Sequence, residues 1–525
     1  GFELAPTSRM RLLDENYLTY KAFATPSHYL YVSYAIADSE GKAQLPSMYI
    51  SKLQQLVGGV PIEIAVIDPS DVKDPSFSMT LISHPRTTLA YLSMQLRQAL
   101  QSGELSDEWQ AVYQYYMEDP YWSTLIKRII RPMLRGNKTD LLSSDITAAL
   151  YGETINSSVS RVEKYYSCPF AHFAGYGLKL EERSEYRLEA PAMGDLFHAA
   201  MKWISDETSR LDLTWGQLTR AQCMQFAKQA VDHIVPIFVH QLLLSTNRYR
   251  YIQRKLEQIV GNTLVALSRH SKVSGFVPIA IEAGFGPGEQ LPPLEIPLKH
   301  RRKMQLRGRI DRVDAANVNG NMFMRIIDYK SSKKGLDLNE VYHGISLQLL
   351  TYLDVAVENA KIWLQEEAEP AGVLYVHMHN PFIQSEKELE DEELQDSIYK
   401  SYKMNGLLLS DPEVITEMDE QIDGFSKVIP VRMNKDGSLS KSSSKVVEPN
   451  QMKLLQTFVR KKHEQAGNGM NAGDTRVYPY VMKDKMPCQF CSYRSVCQFD
   501  PQDPEQKVRV LKVDKPDVIA DKIQK

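Results

Sequence analysis

Cysteine is scarce: five in 525 residues, too few for a disulfide framework in a chain of this size. No run of about 18 apolar residues occurs, so no membrane-spanning helix is expected, and the expected setting is cytoplasmic. There is no secretory leader, and the first residue is Gly1 instead of Met, so the chain is expected to be part of a longer protein. A phosphate-cradling G-x-x-x-x-G-K-[ST] loop is missing too, so no ATP turnover is expected of these residues themselves. Repeats at solenoid spacing are absent. Net charge is only −3, so binding to a polyanion has to come from local patches. What remains, 43% hydrophobic and 24% charged residues, reads as a soluble globular chain of about two to four domains.

The most informative stretch runs from Gly308-Arg309-Ile310-Asp311-Arg312-Val313-Asp314 to Ile326-Ile327-Asp328-Tyr329-Lys330-Ser331-Ser332, with Asn319-Gly320 between. Asn-Gly flanked by apolar runs predicts a hairpin, because a type I′ turn needs positive φ at both central residues. Cross-strand partners then have residue numbers with the same sum as Asn319 and Gly320. By that rule Asp314 faces Arg325, a cross-strand ion pair, and Asp311 faces Asp328. Two opposed carboxylates repel unless a cation lies between them. Lys330, two residues beyond Asp328, shares its face. Asp311, Asp328 and Lys330 therefore read as a metal-dependent phosphodiesterase site, with an ordinary salt-bridged hairpin as the alternative. Upstream, Lys299, Arg301, Arg302, Lys303, Arg307 and Arg309 form a patch that can neutralise phosphates.

Around this hairpin the pattern is α/β. His28–Tyr34 reads as a buried strand followed by a turn at Asp38–Gly41, and residues 89–150 have helical periodicity. Ser157–Ser160 can cap a helix carrying Tyr165 and Tyr166. An amphipathic helix follows around His198, with more helix to about residue 270. Val277–Phe285 reads as a strand containing Glu282, a supporting carboxylate. Residues 346–366 read as a helix, which puts Gln348 and Tyr352 on one face; Ala371–His377 reads as a strand. Residues 385–396 are mostly acidic and read as a solvated helix face or loop. For His198, Gln348 and Tyr352 plain packing roles are the alternative.

Cys488, Cys491 and Cys497 form C-x2-C-x5-C, and Cys168 stands far upstream in Ser-Cys-Pro-Phe. Four thiolates can close a zinc site or hold an iron–sulfur cluster, and spacing alone does not separate the two. Either would staple together the two ends of one domain. Cys223, in an apolar helical pattern, reads as a buried core thiol.

From about residue 151 to 505 these motifs resemble the RecB-like branch of the PD-(D/E)XK nucleases. The resemblance runs through the His198 helix, Gly308-x-x-Asp311-Arg312, Asp328-Tyr329-Lys330 and Gln348-x-x-x-Tyr352. One Cys before the core and three after it is the pattern of that branch's iron-staple subgroup. Within the branch the chain is similar to the nuclease-bearing AddB-type subunits of bacterial AddAB (RexAB-like) helicase–nucleases. Leu30–Ala37 looks like the last motif of superfamily-one helicases, Tyr-Val-x-x-Thr-Arg-Ala, with Ala35 for the Thr and Ile36 for the Arg. An Ile cannot supply charge to a transferring phosphate, so this helicase fold looks inactivated.

The resemblance implies the end of an inactivated superfamily-one helicase fold (1–60), a helical connection (61–150), a nuclease domain with a mixed sheet flanked by helices (151–505) and a C-terminal tail (506–525). It implies Mg²⁺ held by Asp311, Asp328, His198 and the Tyr329 carbonyl, with Lys330, Gln348 and Tyr352 completing the catalytic set. It implies a [4Fe-4S] cluster on Cys168, Cys488, Cys491 and Cys497, where Zn²⁺ is the alternative. The implied partners are double-stranded DNA ends, single-stranded DNA and, in a heterodimer, an AddA-like helicase–nuclease subunit that carries the motor and cuts the other strand. The implied activity is ATP-dependent resection of double-strand breaks for recombinational repair, with this chain cutting the 5′-ended strand. A non-catalytic scaffold that binds DNA ends is the rival from another class, and a stand-alone iron–sulfur exonuclease a second.

Overall fold

A computed structural model describes all residues except 1–6, 39–41, 65–74, 135–140, 184–189, 237–246, 386–388, 441, 484, 502–505 and 525. They fall into two units, Gly1–Arg135 and Gly136–Lys525. None of the described helices is long and apolar enough to cross a membrane.

The described part of the first unit is helical. Helices Pro85–Ser102, Asp107–Glu118 and Pro120–Leu134 close around Leu92, Trp109, Tyr116 and Ile126. The Tyr116 hydroxyl donates to the Pro85 carbonyl at 2.6 Å and ties the group together. The strand expected at His28–Tyr34 does not form. That run is irregular, with Tyr29 81% and Tyr31 92% exposed. A strand needs a neighbour for its N–H and C=O groups, and this unit has no strand among its described residues beyond the bridge Ala37–Ala43. Most of the expected turn at Asp38–Gly41 lies outside the described residues.

The second unit is built on a mixed sheet. Its strands are β1 (Thr154–Ser158), β2 (Val277–Phe285), β3 (Leu294–Pro297), β4 (Lys303–Val318), β5 (Asn321–Lys330), β6 (Ala368–His377), β7 (Asn405–Leu409) and β8 (Val446–Val447). The spatial order is β1-β4-β5-β6-β7-β8, with β2 and β3 also paired to β4. The β4–β5 hairpin has the expected register: Asp314 pairs with Arg325 and Arg312 with Ile327. Asn319 and Gly320 take φ of 53° and 85°, the backbone a type I′ turn demands. Strands β5 and β6 run parallel, so the chain between them must cross over. It does so through helix Gln348–Glu358, which packs on both strands and against helix Pro449–Asn471.

Helix Ala190–Arg210 packs on helix Arg220–Ile234 and reaches β2 and β5. Helix Asn247–Lys272 completes this layer; residues 237–246 of the expected helical run lie outside the described ones. Cys223 is fully buried in the core. Ser158 caps helix Val159–Ser167, its Oγ accepting from the Arg161 N–H at 3.2 Å. The acidic run near residue 390 starts helix Asp391–Ser401, whose first turn carries Asp391, Glu392 and Glu393, where negative charge suits the helix dipole. At the C-terminus, Arg509–Val510 pairs with Tyr480–Val481 and helix Pro516–Gln524 buries Ile519. These described residues near the C-terminus thus pack into the unit.

Candidate functional site

One strand pair below the Arg312–Ile327 rung, Asp311 and Asp328 reach the point where β4 and β5 part. There the Asp311 Oδ2 accepts from the Tyr329 backbone N–H at 2.8 Å, a side chain standing in for a ladder carbonyl. Glu282 of β2 lies between Ile281, paired with Arg312, and Ala283, paired with Ile310, which puts it beside Asp311. Its φ is 53°. A left-handed non-glycine residue inside a strand costs on the order of 1–3 kcal/mol and persists only where its surroundings hold it. Helix Ala190–Arg210 brings in His198, whose Nδ1 is 3.3 Å from Glu282 Oε1 and 3.4 Å from Asp311 Oδ2. The donor atoms of His198, Glu282 and Asp311 lie within 4.8 Å of one another.

Asp328 is 1% exposed at its side chain, and Lys330 Nζ lies 2.6 Å from its Oδ2. Gln348, on the first turn of the crossover helix, donates through Nε2 to Asp328 Oδ1 and to the Tyr352 hydroxyl, both at 3.3 Å. Tyr352 packs edge-on against Phe285. Gly308 makes room for both rings, since a Cβ there would stand 2.7 Å from Phe285 and 3.2 Å from Tyr352.

Burial raises the Asp311 carboxyl well above its usual range, and the nearby Asp328 adds to this against His198 and the Tyr329 N–H. Burial also raises Asp328, opposed chiefly by Lys330. Burial draws His198 down, but Glu282, Asp311 and Asp328 outweigh it and hold the imidazole above its ordinary value. Carboxylates crowded in a dry notch resist ionising together, and a divalent cation relieves that repulsion. The donor set is oxygen-rich with one imidazole, which fits a hard cation such as Mg²⁺.

Sequence reasoning ranked Glu282 as merely supporting, yet it stands in the central group. It missed Glu163, whose Oε1 accepts from the Leu347 and Gln348 N–H groups at 2.7 and 3.1 Å and so fixes the start of the Gln348 helix. No local signal marks that role, because the contact spans the fold. Arg312 does not face the notch. It lies buried on the other face, its guanidinium 4.7 Å from the Trp215 ring, and bonds Asp314 together with Arg325.

The basic patch divides. Lys303 pairs with Glu295 at 2.8 Å and Arg302 donates to Asn471 at 3.3 Å, while Lys299, Arg301 and Arg307 are exposed. Arg309 is exposed but reaches Glu282 at 4.0 Å, next to the notch.

Cys168, Cys488, Cys491 and Cys497 line one cavity of about 140 Å³. Burial pushes the Cys488 thiol up to about 11, with Cys168, Cys491 and Cys497 contributing. Among the described residues their sulfurs are not a group drawn within 4.8 Å, whereas thiolates about 2.3 Å from one zinc would stand roughly 3.8 Å apart. Beside the cavity, Arg509 donates to the Tyr166 and Ser167 carbonyls, and Tyr165 to Asp474 at 3.0 Å.

Residues 74–132 match the family model described as ATP-dependent helicase/deoxyribonuclease AddB fifth domain. Along its whole length the chain is similar to bacterial proteins named as the B subunit of an ATP-dependent helicase/deoxyribonuclease. It is 54% identical over 536 residues to the one from Lysinibacillus sphaericus, covering 46% of it, and 43% identical over 528 residues to the one from Bacillus subtilis, covering 45%. The Listeria innocua protein is 42% identical over 522 residues, 99% of this chain and 45% of its own length. The chain thus spans somewhat less than half the length of these curated relatives. Residues 156–498, which hold both the notch and the four cavity cysteines, match the PD-(D/E)XK nuclease superfamily model: the chain belongs to that superfamily.

Proposed function

We propose that this chain carries one of two nuclease centres of a heterodimeric, ATP-dependent helicase–nuclease, the partner cutting the other strand, and that it cuts DNA phosphodiesters with Mg²⁺. The observation that carries this is the convergence of His198, Glu282 and Asp311 within 4.8 Å, with Asp328 and Lys330 alongside. Asp311, Asp328, His198 and Glu282 would hold the ion, with the Tyr329 carbonyl as a further ligand. Bound there, Mg²⁺ supplies a more acidic water and charge to offset the phosphate oxygens. Lys330, held at 2.6 Å by Asp328, orients the nucleophilic water and offsets the developing negative charge as a point charge. Gln348 holds Asp328 in place and is itself fixed by Tyr352 and by the Glu163 cap. Exposed Lys299, Arg301, Arg307 and Arg309 steer the backbone of the strand toward the notch.

The partner is an AddA-like motor, because Ile36 replaces the helicase arginine. The relatives' names pair a helicase with a deoxyribonuclease. The 5′-ended strand is the proposed substrate strand, in the resection of double-strand breaks. The four cysteines line a single cavity, and their pattern of one before the core and three after it, which resembles the iron-staple subgroup, favours a [4Fe-4S] cluster over one Zn²⁺. Such a cluster supplies a covalent staple between the helix ending at Ser167 and the C-terminal residues. Strand-resolved digestion of end-labelled duplexes by the full-length complex, with Mg²⁺ or EDTA, tests the nuclease reading. Mg²⁺-dependent shortening of one strand that Asp328→Ala abolishes is the expected result.

A further inference from the structure

Strand β6 carries one histidine at its end and a second just past it, and neither is used by the site described above. Asp328 pairs in register with Tyr375 and Lys330 with His377. Side chains in register on adjacent strands share a face, so His377 extends the Asp328–Lys330 face by one strand. The Met378 N–H donates to the Lys330 carbonyl at 2.8 Å and locks this end of the two strands together. His379 follows, and the two imidazoles lie 4.1 Å apart, 7° from parallel. Tyr402, almost wholly buried, backs His379 at 4.7 Å and donates to its carbonyl at 2.6 Å. The His379 Nδ1 lies 2.9 Å from the His377 carbonyl, which fixes the stack.

Parallel rings aim their nitrogen lone pairs side by side and not at a common point, so the pair is a poor metal site. It is well made as a flat π-surface. Burial lowers the His377 pKa and His379 adds to this, against a hydrogen bond with the Ser331 backbone, so the surroundings of this ring disfavour its charged form. Ser331, Ser332 and Lys333 lie exposed where β5 ends, and Ser331 and Lys333 are near enough to His377 to act on its ring.

We propose that the His377–His379 stack is a platform for an unpaired base of single-stranded DNA next to the scissile phosphate. Ser331–Lys333 would carry the adjoining phosphate. The inference rests on the nuclease reading above and deepens it: the strand enters the notch single, with one base splayed onto the imidazoles. Base-on-ring stacking is tolerant of sequence, which suits an enzyme that must digest any strand.

The test uses the full-length protein with its partner, in Ca²⁺ to allow binding without turnover. The probes are single-stranded oligonucleotides carrying 2-aminopurine, or an abasic residue, at successive positions. One or two positions should be quenched, and an abasic residue there should weaken binding about tenfold. His377→Leu should remove both effects, raise KM in Mg²⁺ about tenfold and lower kcat less, while His377→Phe restores them. The proposal is overturned if Leu serves as well as Phe, which marks the pair as packing only, or if no position is quenched although the strand is cut. Failure of the nuclease reading looks different: the quench is seen, but Asp328→Ala leaves Mg²⁺-dependent cutting of the oligonucleotide unchanged.

Discussion

The Tyr329 N–H donates to the Asp311 carboxylate at 2.8 Å, across the point where β4 and β5 separate. One oxygen of Asp311 is thereby pinned, and its carboxyl is held in a buried notch within reach of Asp328. Asp311→Asn keeps an acceptor for that bond and removes the charge. With burial and Asp328 both raising the Asp311 pKa, the metal-free protein is expected to gain about 1–3 kcal/mol at pH 7. The same variant should lose Mg²⁺-dependent cutting. Denaturant melts in EDTA beside a cleavage assay read both; a less stable, still active Asp311→Asn protein contradicts the arrangement.

On the other face of the hairpin, Asp314 bonds both Arg312 and Arg325 with every partner nearly inaccessible to water. Asp314→Ala leaves two buried guanidinium groups without their anion, which costs about 3–5 kcal/mol. The expected result is a large fall in the unfolding midpoint with the Mg²⁺ requirement unchanged. A loss under about 1 kcal/mol would show that the cluster is hydrated.

His172, His270 and His463 are buried, which lowers each to about 3 from an ordinary 6.5, Arg161 adding to this at His172 and Arg325 and Arg312 at His270. Below pH 6.5 the unfolded chain takes up protons that these folded sites refuse. Their contribution is therefore complete above pH 6.5 and is lost as the pH falls toward 3, by about 1.4 kcal/mol per pH unit for each histidine. His463, bonded to the Thr351 hydroxyl at 2.8 Å, can be isolated. His463→Leu should flatten the fall in stability between pH 6 and pH 5 by about 1.4 kcal/mol per unit relative to wild type. An unchanged slope contradicts a neutral, buried His463.

The hairpin was legible in the sequence because a two-residue Asn-Gly loop fixes register by counting, and the register carries Asp311, Asp328, Lys330 and the Asp314–Arg325 pair with it. The strand at Val277–Phe285 and the helix holding Gln348 and Tyr352 were legible from periodicity. Glu282 was underrated because its position depends on a left-handed residue inside a strand, and nothing in the local pattern announces one. Glu163 was invisible because its partners are more than 180 residues away. The apolar run at His28–Tyr34 misled for the opposite reason: apolar pattern proposes a strand, but pairing partners decide it. Short strands β1, β3, β7 and β8 escaped too, being shorter than the windows in which alternation can be read.

The cysteines give a prediction independent of the nuclease notch. An anaerobically prepared protein should be brown, with absorbance near about 400 nm from thiolate-to-iron charge transfer. Cys491→Ser should bleach it, open the C-terminal residues to protease and weaken binding to DNA ends. Cys223→Ser, at a fully buried site away from the cavity, should leave the colour intact. Stoichiometric zinc without iron contradicts the cluster.

The central claim is that Asp311, Asp328 and Lys330 make one Mg²⁺-dependent centre that cuts one DNA strand. The most direct measurement follows both end-labelled strands of a duplex in the full-length complex, comparing wild type with Asp328→Ala. Cutting of the 5′-ended strand should vanish, the other strand should still be cut, and affinity for DNA ends should change little. Undiminished cutting of both strands by Asp328→Ala would contradict the account.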